Sequence, residues 1–272
     1  GSDTKTSWNN VGIFAPYGVA GGNGIVRTDS TVFLQNEGLI PAEGETVAKN
    51  GTKEYTSIQE AIGEANRGDV ITLVKDQDES IRIGRYSQIT LDIGNYNLTS
   101  SQYNTITNEG VLTIKGSGKI TNSVEYGFIL CNGGVATIDG PTFMGTNNKE
   151  LKQLALIDNT AKLTINSGEF LSAKTPTVPW IMTTEGKLII HGGRFGNSEE
   201  CIVSYDGPIE IDGGTFSSYP KNMTSYLANG YCLSENANGE TVVVKATQAT
   251  VKEPTVVGNQ DNLDIVKKTE EF

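Results

Sequence analysis

The sequence predicts an all-β protein: a right-handed, single-stranded parallel β-helix with a short capping helix at its N-terminal end. Three observations carry this expectation. A segment of alternating character recurs at intervals of 21 to 27 residues. Four of the eight phenylalanines fall at one position of that repeat. The composition joins 36% hydrophobic and 19% charged residues with 32 glycines. That is too apolar for a disordered chain and too rich in turn formers for a helical one.

The repeat is read first. Copies occupy residues 110–120, 134–143, 161–170, 186–195 and 207–216, with a looser one at 89–98. Their marker residues are Leu91, Ile114, Ile138, Ile165, Ile190 and Ile211, separated by 23, 24, 27, 25 and 21 residues. Drift around a period in the low twenties fits a β-solenoid, whose loops vary while its strands keep register. Within a copy the side chains alternate with period 2: Leu112 and Ile114 face one way, Thr113 and Lys115 the other. A glycine-containing turn follows, then a shorter strand that ends in Ile120, Phe143, Phe170, Phe195 or Phe216. A third strand precedes each copy, at 127–131, 154–157, 180–182 and 201–203. Stacking such coils about 4.8 Å apart makes Phe143, Phe170, Phe195 and Phe216 one interior ladder.

Open strand edges at the ends of a stack need covers. Ser57 followed by Glu60 reads as a capping box opening a helix, with Ala61, Ile62 and Ala65 as its apolar stripe and Gly68 at its end. Residues 70–74 then begin the sheet. The expected organisation is a lead-in segment at 1–47, the β-helix at 48–246 and a polar tail at 247–272. Gly21 to Gly24 form a flexible loop without the Lys-Ser/Thr of a phosphate-binding loop. Gly1-Ser2 reads as a cloning remnant, so the start of the chain says nothing about localisation.

A net charge of −11 and a pI of about 4.7 argue against nucleic acid and anionic membrane as partners. The arginines Arg27, Arg67, Arg82, Arg85 and Arg194 are scattered. No apolar run approaches the roughly 18 to 20 residues of a membrane span. Cys131, Cys201 and Cys232, with one histidine, exclude a zinc site or a dense disulfide framework. Cys201 and Cys232 align at equivalent repeat positions, where a disulfide and two unbridged inward thiols both fit. Cys131 reads as a buried free thiol.

The stretch 55–75, with its helix, Gly68-Asp69 and first strand, resembles the opening of the pectate-lyase-like β-helix superfamily. The Gly-Gly-x-Phe coils that follow are similar to those of large bacterial cell-surface proteins. The resemblance covers roughly residues 45–245. It implies the fold, while the activity stays open, since such folds host lyases, hydrolases, adhesins and phage spikes.

Polygalacturonase-like enzymes carry Asn-Thr-Asp, Asp-Asp, Gly-His-Gly and Arg-x-Lys motifs. Here Asp158-Asn-Thr160 is scrambled, no Asp-Asp pair occurs, and His191 stands in Ile-His-Gly-Gly. Nor does the sequence show the aspartate cluster of calcium-dependent pectate lyases, although carboxylates on adjacent coils can assemble one. One outward column stands out: Asp92, Lys115, Asp139, Asn166, His191 and Asp212. It is either a polar groove for a glycan or cation or an ordinary solvated column whose mixed charges avoid repulsion. Asp139 and Asp212 lie three coils apart, about 14 Å, too far for an acid/base pair. Tyr126, Trp180, Tyr205, Tyr219, Tyr226 and Tyr231 lie near turns, where they either stack on sugars or pack. The long interruption 219–226 is a candidate recognition loop.

The expected function is therefore a non-catalytic, secreted or cell-surface bacterial module. It would be monomeric and would bind a polysaccharide, a surface glycan or a surface protein, or serve as an adhesin-like scaffold. Candidate ligand-binding residues are Asp92, Lys115, Asp139, Asn166, His191, Asp212, Trp180, Tyr219 and Tyr226. No cofactor is expected, with calcium between acidic turns left open. The alternatives are a polysaccharide lyase or glycoside hydrolase of the same fold, and a trimeric phage fibre or spike segment.

Overall fold

The computed structural model describes residues 44–124, 126–145, 155–171, 181–183, 185–196, 202–204, 206–217 and 223–247. They form a parallel β-solenoid of about five turns whose three sheets enclose one apolar core. The solenoid belongs to a compact unit that begins at Thr46.

Each coil contributes one strand to each sheet. The first sheet stacks Asp69–Leu73, Gln88–Asp92, Val111–Lys115, Val135–Asp139, Lys162–Ile165, Lys187–Ile190 and Ile209–Ile211 in parallel. The second contains the short strands Leu98–Thr99, Lys119–Thr121, Thr142–Met144, Glu169–Leu171, Arg194–Gly196 and Thr215–Phe216. The third runs from Ile81–Ile83 through Asn104–Asn108, Phe128–Asn132 and Ile157–Asn159 to Ile181–Thr183 and Ile202–Ser204.

The register is the one that the repeat predicts. Leu91, Ile114, Ile138, Ile165, Ile190 and Ile211 pair in turn, and all are fully buried. The phenylalanine ladder forms as expected. Ring centroids are 5.3 Å apart for Phe143 and Phe170, 4.7 Å for Phe170 and Phe195, and 4.8 Å for Phe195 and Phe216. The tilt between rings falls from 25° to 7° along the ladder.

A second ladder has no counterpart in the sequence reading. Asn108, Asn132 and Asn159 are fully buried at the corner between the third and first sheets. Asn108 Nδ2 donates to Asn132 Oδ1 at 2.7 Å, and Asn132 Nδ2 donates to Asn159 Oδ1 at 2.8 Å. The same amides reach the carbonyls of Val135 and Lys162. Low dielectric makes such satisfied contacts strong and unsatisfied ones expensive. Backbones meet so closely here that a Cβ on Gly134 would run into the carbonyl oxygen of Gly110.

The helix spans Ile58–Glu64 and buries Ile58, Ala61 and Ile62 over the open end of the core. Ser57 caps it, its hydroxyl accepting from Glu60 N at 3.2 Å. The reciprocal half of the predicted box is replaced. Glu79, from the first coil, accepts from Ile58 N, Gln59 N and Ser57 Oγ at 2.7–2.9 Å. Gln59 in turn mimics a strand partner, accepting from Arg82 N at 2.7 Å and donating to Arg82 O at 3.1 Å. It thereby covers the first edge of the third sheet. The helix ends at Ala65 rather than Gly68, and Gly68 turns the chain into the first strand with φ 95°.

An antiparallel pair, Ala48–Asn50 and Lys53–Tyr55, covers the first sheet at the same end. The far end differs from the sequence reading. Thr241–Lys245 pairs antiparallel with Thr215–Phe216 and with Tyr231–Glu235, so 231–245 is a closing hairpin. Among the described residues, no helix is long and apolar enough to cross a membrane. Residues 1–43 of the expected lead-in and 248–272 of the expected tail lie outside the described residues.

Phe170 sits between two stacked partners. Phe170→Ala is expected to cost about 3–5 kcal/mol, read as a lower urea midpoint with an unchanged m-value.

Candidate functional site

The predicted outward column exists. Lys115 pairs with both Asp92 and Asp139 in the first sheet. The amide hydrogen bonds Asn166 N to Ile138 O, His191 N to Ile165 O and Asp212 N to Ile190 O carry the register onward at 2.8–2.9 Å. Neighbours along the column satisfy one another. Lys115 Nζ lies 3.4 Å from Asp92 Oδ2, His191 Nδ1 lies 2.7 Å from Asp212 Oδ1, and Ser167 Oγ donates to Asp139 Oδ1 at 2.6 Å. Such half-exposed pairs contribute about 1 kcal/mol at most. Flanking columns are Thr90, Thr113, Thr137 and Thr164 on one side and Val111 and Val135 beyond. The result is a flat, mixed-charge face on which His191 is oriented by Asp212.

The aromatic candidates divide. Trp180, Tyr205 and Tyr219 lie outside the described residues. Tyr226 belongs to a short 3-10 helix, Met223–Tyr226, and is half-buried, packed against the core beside fully buried Met223. The described part of the 219–226 loop thus closes the last coil, and Leu227 bridges to Ile211. Tyr231 also packs against the core. Tyr126 is exposed, as is Tyr103, which the sequence reading did not single out.

The sequence reading also missed a concave site on the outer face of the second sheet. An open depression of about 460 Å³ is lined by Asp76, Asp78, Asn97, Thr99, Lys119 and Thr121. Asp76 accepts from Asn97 N and Asn97 Nδ2 at 2.8 and 2.9 Å, which holds its carboxyl below the usual range. Asp78 and Lys119 are exposed. Strands of two or three residues give little alternation to read, so nothing in the sequence marked this face. The site offers carboxylates, an amide, hydroxyls and one ammonium within three adjacent coils, a donor and acceptor set suited to hydroxyl groups.

The cysteines depart from expectation. Cys131 faces outward on Phe128–Asn132, between the buried Leu130 and Asn132, and is half-buried rather than buried. Its Sγ lies 3.9 Å from Asp158 Oδ2 on the next coil. Burial pushes both the thiol and the Asp158 carboxyl up, and the carboxylate raises the thiol further. Cys232 is a free thiol on the antiparallel closing hairpin, opposite Val244, so it is not a coil equivalent of Cys201. Cys201 itself lies outside the described residues. Among the described residues, no three His, Cys, Asp or Glu side chains gather around a metal position.

With its pKa raised, the Asp158 carboxyl binds its proton more tightly in the folded state than in the unfolded chain. Its carboxylate therefore destabilises the fold at neutral pH, and the penalty fades as pH falls through the raised value toward the ordinary 3.8. Asp158→Asn is expected to raise Tm at about pH 7 and to leave it unchanged at about pH 3, as followed by thermal melts. The sequence matches no protein-family model, and no curated protein or solved structure matches it either.

Proposed function

We propose that this chain is a non-catalytic carbohydrate-binding module of a secreted or cell-surface bacterial protein, built on a pectate-lyase-like β-helix. The observation that carries this reading is the polar depression on the second sheet. Its carboxylates, amide and hydroxyls sit on a rigid stack of strands, already positioned before a ligand arrives. Sugar hydroxyls need such alternating donors and acceptors. An adhesin-like scaffold that holds a surface protein would use the flat first sheet instead.

A specific contact favours a second reading, a polysaccharide lyase or glycoside hydrolase. The 2.7 Å contact of Asp212 with His191 Nδ1 fixes the ring and leaves Nε2 without a partner among the described residues, as a general base requires. The column around it supplies single hydrogen bonds rather than a pair of carboxylates at acid/base spacing, which is why binding is preferred. A phage-fibre segment would be a trimer, which sedimentation of the purified chain distinguishes from the monomer expected of a binding module.

The test is a panel of polysaccharides offered to the purified protein with and without calcium, scoring retention and released product together. Retention without product is expected. Asp76→Ala combined with Asn97→Ala should weaken retention at least about tenfold, the effect of losing roughly 1.4 kcal/mol of binding. Product release that disappears in His191→Gln would establish the enzyme reading in its place.

A further inference from the structure

The corner between the second and third sheets carries an unusual backbone. Tyr126 adopts φ 61°, a left-handed conformation that side chains other than glycine or asparagine rarely take. It stands in the tight turn closed by Gly127 N donating to Val124 O at 3.1 Å, with Val124 N held by Asn122 Oδ1 at 2.9 Å. Gly127 has no room for a Cβ, because Asn122 Oδ1 and the Tyr103 carbonyl oxygen press on it. Packing therefore demands glycine at 127. One residue earlier, the Tyr126 side chain is held in this strained backbone position and is 42% exposed.

A second exposed ring lies on the adjacent coil at the same corner. Phe128 N donates to Tyr103 O at 3.1 Å, so Tyr126 stands one coil above Tyr103 and one position earlier in the turn. Tyr103 is 55% exposed, yet its ring is braced edge-on against the buried Phe128, with centroids 6.2 Å apart at 83°. Both turns issue directly from the depression. Tyr103 follows Thr99 by four residues, and Tyr126 follows Thr121 by five.

We infer that Tyr103 and Tyr126 form an aromatic platform for the pyranose rings of a neutral glycan, whose hydroxyls extend into the depression at Asp76, Asn97 and Thr121. This rests on the carbohydrate-binding reading above and narrows it. Tyrosine rings give apolar faces to sugar C–H surfaces at low entropic cost. The charge balance selects the class. Asp76 and Asp78 outnumber Lys119 at the site, and the whole chain carries −11. A uronic-acid polymer would bring like charge against it, so an uncharged chain is favoured.

Calorimetric titration of the full chain tests this. The probes are hexasaccharides of β-linked glucose, xylose, mannose and N-acetylglucosamine, set against the hexasaccharide of galacturonic acid. The expected result is that at least one neutral probe binds more tightly than the galacturonate, and that Tyr103→Ala and Tyr126→Ala each weaken it about tenfold. Tyr126→Gly separates binding from folding. It removes the ring and relieves the left-handed strain, so Tm should stand at or above the parent value while binding is still lost. Neutral-probe binding untouched by the tyrosine substitutions, preference for galacturonate, or a Tyr126→Gly variant that loses Tm along with binding would each overturn the platform and leave carbohydrate binding standing. Absence of binding to every hexasaccharide would overturn both.

Discussion

Parallel pairing of each coil with the next, residue over equivalent residue, is the constraint on which everything else here depends. It turns one repeat position into one column, and a column must be chemically tolerable to itself. Inside, this favours Ile, Leu and Phe, which stack without orphaned groups, and the ring spacings of 4.7–5.3 Å match the distance between paired strands. At the corner before the first sheet it favours asparagine, because an amide both donates and accepts and so can bond to a copy of itself. Outside it favours alternation of sign, seen in Asp92, Lys115 and Asp139.

A stack held this way has two open ends, and the chain spends dedicated structure on each. At the N-terminal end an amphipathic helix covers the core while two side chains from opposite sides of the junction lock it in place. Glu79 reaches up to the helix N-terminus, where unpaired amide groups and the dipole favour a carboxylate, and Gln59 reaches down to the strand edge at Arg82. At the far end the chain reverses into a hairpin, which replaces parallel continuation of the second sheet with antiparallel pairing.

Much of this was legible in the sequence because the solenoid writes its core as a period. The Leu-Thr-Ile copies and the spacing of Phe143, Phe170, Phe195 and Phe216 carried strand faces and register. The asparagine ladder is harder to read because Asn108, Asn132 and Asn159 sit where a strand gives way to a turn, a place that asparagine also takes for purely local reasons. Its signal was the recurrence of Asn108, Asn132 and Asn159 two residues before Gly110, Gly134 and Ala161. The outward position of Cys131 is not legible in the sequence, since Phe128, Ile129 and Leu130 form an unbroken apolar run in which alternation gives no direction. Cys232 reads as a coil position in the sequence because the terminal hairpin imitates the strands of a coil in composition while reversing its direction. The outward column was legible, but the depression was not. It comes from strands two or three residues long meeting across coils, and the contact of Asp76 with Asn97 spans a whole coil.

Function on such a scaffold is a matter of which outward face is uneven. The first sheet presents a flat, self-satisfied surface, whereas the second sheet and its following corner combine concavity, polar groups and exposed rings. Both faces follow from the coil-to-coil register, and disulfide trapping reads that register out. Thr113 and Thr137 face outward as direct partners, at a separation within the disulfide range, while Thr113 and Thr164 are two coils apart. In a background with Cys131, Cys201 and Cys232 replaced by serine, Thr113→Cys with Thr137→Cys should oxidise quantitatively and raise Tm, and Thr113→Cys with Thr164→Cys should stay reduced. Bridging of the second pair but not the first would contradict the stacking order from which the whole account is built.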